Sequence, residues 1–75
     1  MAKAQLIITG VGPEELRSFM LMYARRSFLV QVNNLKIVVI VDDDEAAIKK
    51  AIKLAEDMAD LLRAPKIKSE VVRVQ

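Results

Sequence analysis

The chain has 75 residues, 53% of them hydrophobic, and its 12 basic and 10 acidic side chains leave a net charge of +2. A chain this short forms one domain, spanning residues 1–75, around a single core. It contains no cysteine and no histidine, which excludes disulfides, the common zinc sites and the nucleophile systems that need either residue. The balanced charge predicts a mixed, solvated surface and no footprint for nucleic acid.

The sequence carries no targeting or membrane segment that we can identify. Its N-terminal apolar run is too short for a signal peptide, and no stretch approaches the ~20 apolar residues that cross a bilayer. We therefore expect a soluble chain with no membrane partner, cytoplasmic if it is expressed in a cell.

The first predicted elements are a strand and a helix. The apolar, β-branched run from Gln5 to Val11 closes on Gly10, Gly12 and Pro13, which indicates a strand ending in a turn. The helix should run from about Pro13 to Arg26, with no glycine to cap its end. Its apolar stripe has the spacing i, i+3, i+4, i+7, at Leu16, Phe19, Met20 and Tyr23.

A hairpin follows in the stretch F-L-V-Q-V-N-N-L-K-I-V-V-I-V, from Phe28 to Val41. We predict a two-residue type I′ turn at Asn33 and Asn34, because asparagine tolerates the positive φ that this turn requires. The turn would place Val32 opposite Leu35, Val30 opposite Ile37 and Phe28 opposite Val39. These six apolar residues would then share the face that points toward the helices.

The second helix begins in the acidic run from Asp42 to Glu45 and ends near Arg63, because Pro65 cannot continue it. Its apolar stripe consists of Ile48, Ala51, Ile52, Ala55, Met58, Ala59 and Leu62. The last strand should run from Lys66 to Val74. Its apolar residues change parity along this strand, which predicts a bulge or twist between Ser69 and Val71.

The element order β-α-β-β-α-β is the pattern of the split βαβ, or ferredoxin-like, sandwich. We therefore predict an α+β fold, a two-layer sandwich in which two helices pack on one face of a four-stranded antiparallel sheet of order 4-1-3-2. The first and third strands would be central because they are the most uniformly apolar. The charged fourth strand suits a protected edge, although another strand order on the same two layers is the alternative.

Several motifs have a chemical and a structural interpretation. The D-D-D-E run at Asp42 to Glu45 could hold a divalent cation, but consecutive acids that lead into a helix favour capping by Asp43 or Asp44. The G-V-G-P-E-E turn at Gly10 to Glu15 resembles a phosphate-binding loop, yet its proline and two glutamates occupy the anion's position. We expect a tight turn there, and no metal or cofactor.

Three further features could bind a ligand. RNA-recognition sheets stack bases on central-strand aromatics, whereas the central strands here contain none. Arg25 and Arg26 could hold a phosphate, but a solvated helix end is the simpler interpretation. Methionines at helical spacing, Met20, Met22 and Met58, could line a groove, although core filling is the commoner role.

The open face of the predicted sheet carries its own apolar residues. The parity that sends Leu6 and Ile8 inward leaves Gln5, Ile7 and Thr9 outside, with Val11 as a further candidate. The self-association surface that we predict consists of Ile7, Thr9, Leu29, Val38 and Ile40, with Gln5, Gln31 and Lys36 around it. An apolar patch with a polar rim marks a contact surface, so the expected partner is a second copy of the chain. A monomer with a moderately apolar sheet is the alternative.

The whole chain resembles computationally designed ferredoxin-like proteins. Its connections are minimal, as at N-N and A-P, and the helix A-A-I-K-K-A-I-K-L-A-E-D-M-A-D-L-L is built from strong helix formers. The resemblance implies a designed scaffold with no natural biochemical activity, whose property is a stable fold, and no enzyme. The alternative is a natural interaction or regulatory module that homodimerises through the open sheet face or binds a small ligand.

Overall fold

The computed structural model describes residues 2–73 and confirms the predicted element order. The elements are β1 (Lys3–Thr9), α1 (Pro13–Arg25), β2 (Leu29–Asn33), β3 (Lys36–Asp42), α2 (Glu45–Leu61) and β4 (Lys68–Arg73). The four strands form one antiparallel sheet of order β2-β3-β1-β4, which is the predicted order counted from the other edge. With two helices on one face, the fold is a ferredoxin-like α+β sandwich. Neither described helix has the length and apolar character to cross a membrane.

The core lies between the helices and one face of the sheet. Alternate residues of the two central strands are fully or almost fully buried, at Leu6 and Ile8 on β1 and Ile37 and Val39 on β3. The helices complete the core with Phe19, Tyr23, Ile48, Ala51 and Ala55. Val11 is 4% exposed and belongs to this core, so its candidate place on the open face is wrong. It lies beyond the end of β1, where the alternation of a strand no longer applies.

Among residues 2–73, Tyr23 is the one buried residue whose side chain carries a polar group. Its hydroxyl donates a 2.7 Å hydrogen bond to the carbonyl of Ala51 on α2, so the phenol links the two helices. Its ring stacks near Phe19 and meets Phe28 edge to face, with ring centroids 5.5 Å apart. Burial raises the pKa of the phenol above its usual value, because the phenolate would lose its hydration in this core.

Both helices begin with a backbone N–H group held by a carboxylate. The N–H of Gly12 donates to Glu15 Oε1 at 2.7 Å, and Pro13 occupies the first turn, where no N–H is needed. In α2, Asp44 caps the helix by accepting a 3.1 Å hydrogen bond from the N–H of Ala47. The predicted cap at Asp43 or Asp44 is therefore at Asp44.

Both helices end in a Schellman motif without glycine. After α1, Ser27 takes a positive φ of 64°. Its N–H donates to the carbonyl of Ala24, and the N–H of Phe28 donates to that of Tyr23. The contact between the rings of Phe28 and Tyr23 is the hydrophobic contact that commonly accompanies this motif. After α2, Arg63 takes the same left-handed role with a φ of 51°.

Replacing Ser27 with glycine should stabilise the fold by about 0.5–1 kcal/mol. Left-handed φ costs a residue with a Cβ about 1–2 kcal/mol, while the added freedom of glycine in the unfolded chain costs about 0.4–1 kcal/mol. A rise in the urea midpoint of Ser27→Gly would show this gain. The matched control is Ala24→Gly inside the same helix, which should lose about 1 kcal/mol; a Ser27→Gly variant as unstable as that control would contradict the argument.

The hairpin turn lies one residue later than we predicted. Asn33 pairs with Lys36, so the turn residues are Asn34 and Leu35, and only Asn34 has a positive φ. A type I′ turn needs positive φ at both positions, so the predicted turn type is also wrong. The observed pairs are Leu29 with Ile40, Val30 with Val39, Gln31 with Val38 and Val32 with Ile37. Leu35 is 49% exposed in the turn and does not face the helices.

The error leaves the two faces of the sheet unchanged. Moving the turn by one residue shifts the register by two, and a shift of two keeps every side chain on its own face. The hydrophobic pattern therefore could not distinguish the two turns. Val30 and Phe28 still pack against the core, as predicted.

The predicted irregularity in β4 is absent from the described part of the strand. Pairing with β1 runs without a break from Lys68 opposite Thr9 to Arg73 opposite Ala4. The strand begins at Lys68, later than the predicted Lys66, and Val74 lies outside the described residues. The change of parity has a simple cause, because Ile67 and Val71 pack against the core whereas Val72 lies on the open face.

Candidate functional site: the open sheet face

The open face of the sheet brings four of the five predicted residues together. Leu29 on β2 lies opposite Ile40 on β3, and Val38 on β3 lies opposite Ile7 on β1. Their side chains alternate with the buried residues of the same strands and so point away from the helices. Ile7, Val38 and Ile40 are half-buried by their neighbours in the sheet, and Leu29 is 64% exposed. We call Ile7, Leu29, Val38 and Ile40 the open-face patch.

Val72 extends this patch, and the sequence did not assign it. Val72 on β4 lies opposite Gln5, which in turn lies opposite Ile40. One row across the sheet therefore reads Leu29, Ile40, Gln5, Val72. Val72 is 36% exposed. The register between β1 and β4 decides on which face Val72 lies. The bulge or twist predicted for β4 had left that register undefined.

Polar groups surround the patch on the same face. Thr9, the fifth predicted residue, lies opposite Lys68 and forms part of this rim and not of the apolar centre. Glu70 lies opposite Ile7 on the β4 side. At the far end, Lys3 Nζ lies 2.6 Å from Asp42 Oδ1. The hydrogen bond from Lys3, and then its charge, lower the pKa of the Asp42 carboxyl below its usual value.

The acidic run that could have formed a cation site is divided among three partners. Asp42 binds Lys3, Asp43 Oδ1 accepts a 2.9 Å hydrogen bond from Arg73 Nε, and Asp44 caps α2. Within residues 2–73, no group of three or more acidic side chains converges as a metal site. The capping interpretation therefore accounts for Asp44, and ion pairs account for the other two aspartates.

The remaining candidate motifs have structural roles. The carboxylate of Glu15 accepts the hydrogen bond from the Gly12 N–H, the group that an anion bound at this helix end would need. Phe19 and Tyr23 lie in the core, and Phe28 packs against it, so the aromatics do not form a stacking surface on the open face. Arg25 and Arg26 border a shallow pocket of about 330 Å³ that also includes Met22 and Met58, between the two helices.

A second concave surface lies between α2 and β4. This open groove has a volume of about 590 Å³. Its lining includes small side chains, at Ala55, Ala59, Ala64 and Ser69, acidic side chains, at Glu56, Asp57 and Asp60, and the basic side chain of Arg63. It lies beside β4, at the edge of the sheet, and its lining carries charges of both signs.

Comparison of the chain with protein-family models, with curated proteins and with solved structures gives no significant match.

Proposed function

We propose that this protein is a self-association module that binds a second copy of itself through the open-face patch. The observation that carries the proposal is the contiguity of the patch, whose four residues lie on three neighbouring strands in facing pairs. A rim of charged and amide side chains surrounds them. An apolar centre with a polar rim is the usual anatomy of a protein contact surface.

The size of the face limits how tightly it can bind. Four strands spaced about 4.8 Å apart and about 23 Å long cover a flat area of about 450 Å². Specific dimers usually bury about 800 Å² on each partner. Two single faces should therefore form a weak dimer whose population rises with protein concentration.

Replacing Val38 and Ile40 with lysine in one chain should abolish association through the open face at every concentration, so the mass should fall below that of the wild-type chain. Each partner would bring two charges into the centre of the contact, where they would lose their hydration without gaining a partner. Light scattering on a sizing column measures the mass across the concentration range, and circular dichroism checks that the sheet still forms.

The matched control for this variant is Glu56→Lys on the exposed surface of α2. It makes the same change of +2 in net charge, far from the open face, and should associate as the unaltered chain does. If the double variant retains the wild-type mass at every concentration, the open-face patch is not the contact.

The second candidate is the designed scaffold, whose only property is its fold. The unbroken pairing of the four described strands supports it, since idealised backbones have regularly paired strands. The same experiment separates the two candidates. A wild-type chain that remains monomeric at the highest concentration favours the scaffold.

A further inference from the structure

The two edges of the sheet differ in charge. The β4 edge, K-S-E-V-V-R, carries three charged side chains, at Lys68, Glu70 and Arg73. The β2 edge, L-V-Q-V-N, carries none. Charges and proline on an edge strand discourage pairing with another chain, and β2 has neither. Alternate residues of β2 turn their backbone N–H and C=O groups away from β3, and within residues 2–73 no strand pairs with that side.

We propose that β2 pairs antiparallel with β2 of a second copy, about a two-fold axis through Gln31. In this register Val30 of each copy lies opposite Val32 of the other, and the two Gln31 side chains face each other. A glutamine amide both donates and accepts, so each amide can bond its counterpart. The valines of both copies keep their inward parity. The pair is therefore one eight-stranded sheet with all four helices on one side.

The position of α1 fits this arrangement. Ser18, Met22 and Arg25 line the pocket toward Met58 of α2, so the turn of the helix places Met20 and Ala24 on the opposite flank. Both are exposed, Met20 at 39%.

The spacing of the two copies of α1 also fits. Because α1 lies over β2 and β3, the two helix axes in the pair would be two strand spacings apart, about 10 Å. Packed helices lie 8–10 Å apart. The apolar flank that is exposed in one copy would meet the same flank of the other.

The edge pair also enlarges the open face, which in a single copy is smaller than a standard interface. Two copies side by side present an open face of about 900 Å², twice that of one sheet, which reaches the size of a standard interface. Two such pairs stacked face to face would form a closed tetramer with 222 symmetry. The edge pairing itself does not depend on the proposed face contact.

Opposite charges introduced at Gln31 test whether the two-fold axis of the edge pair passes through this residue. Gln31→Lys alone should weaken the edge pair at least tenfold, because like charges directly opposite each other repel, and Gln31→Glu should do the same. Mixing the two variants should restore a one-to-one pair, seen by native mass spectrometry. The matched control is Glu70→Lys, at the equivalent position of the β4 edge, which should retain the edge pair.

A cysteine at the axis gives a second, independent measurement. The chain has no cysteine, so Gln31→Cys carries a single thiol. Directly opposed residues in antiparallel strands lie within disulfide range. Gln31→Cys should therefore cross-link at least tenfold faster under mild oxidation than Glu70→Cys.

Each outcome separates the edge proposal from the face proposal. Loss of association in Gln31→Lys, recovery on mixing and fast cross-linking support the edge pair. Association that survives Gln31→Lys but is lost in the Val38 and Ile40 lysine variant overturns the edge pair and leaves the face contact standing. No recovery on mixing, or equal cross-linking rates at the two edges, also overturns the edge pair, and a monomeric wild-type chain overturns both.

Discussion

Replacing Gly10 with alanine should remove a large part of the stability of this protein. Gly10 has a φ of +79°, which costs a residue with a Cβ about 1–2 kcal/mol. An alanine Cβ would lie 2.1 Å from the carbonyl oxygen of Lys66, so one backbone segment must move, at about 1–3 kcal/mol more. Together these costs amount to about 2–5 kcal/mol, against a total of roughly 4–11 kcal/mol for a domain of this length.

Gly12→Ala is the matched control for Gly10→Ala. Gly12 has a φ of −80°, and the nearest atom to a new Cβ is Glu15 Oε1, at 3.3 Å on a flexible side chain. We expect this variant to lose no more than about 1 kcal/mol, because alanine is a poorer helix N-cap than glycine. Urea unfolding of both variants measures the difference. Equal midpoints would show that the turn adapts and that the approach of Lys66 does not require glycine.

Gly10 illustrates which features could be read from the sequence and which could not. The sequence identified the turn from Gly10, Gly12 and Pro13 but treated the two glycines alike. What distinguishes them is a segment more than fifty residues later, the approach to β4 at Lys66. Contacts between distant segments depend on how the elements pack, and no local pattern records them.

The strand order and the two faces of the sheet were predictable from different signals. The order came from the element pattern and from the uniformly apolar first and third strands, and the faces came from alternation. Buried and open positions alternate along β1 and β3, and only one parity of each strand could fill the core. The same alternation placed Ile7, Leu29, Val38 and Ile40 together on the open face. It did not place Val72, because Ile67 and Val72 have opposite parity and Ile67 had been assigned to the same strand.

The ends of the helices were harder to predict, since the strongest C-terminal signal is a glycine. Here Ser27 and Arg63 adopt the left-handed conformation instead. The apolar contact between Phe28 and Tyr23 offsets the strain at Ser27 and turns the chain back into β2. The predicted helices consequently extended one or two residues beyond the observed α1 and α2.

Tyr23 should make the protein lose stability above about pH 10, the pKa of an exposed tyrosine. Burial raises the pKa of Tyr23 in the folded chain. Above about pH 10 the unfolded chain releases this proton while the folded chain keeps it, which favours unfolding by up to about 1.4 kcal/mol per pH unit. The contribution is complete below the unfolded pKa and is lost as the pH rises toward the folded pKa.

Tyr23→Phe isolates the contribution of the phenol from every other effect of high pH. The variant loses the hydrogen bond to the Ala51 carbonyl, worth about 1 kcal/mol at neutral pH, but it lacks the phenol. All other side chains are the same in the two proteins, so the difference between their urea midpoints isolates Tyr23 and should shrink and then reverse as the pH rises. The chain has a single tyrosine and no tryptophan, so phenolate absorbance reports Tyr23 alone and should appear only as the fold is lost. If phenolate absorbance appears at about pH 10 while circular dichroism still shows a folded chain, Tyr23 ionises like an exposed tyrosine. That result would mean that water reaches the phenol and that its hydrogen bond to Ala51 does not persist in solution.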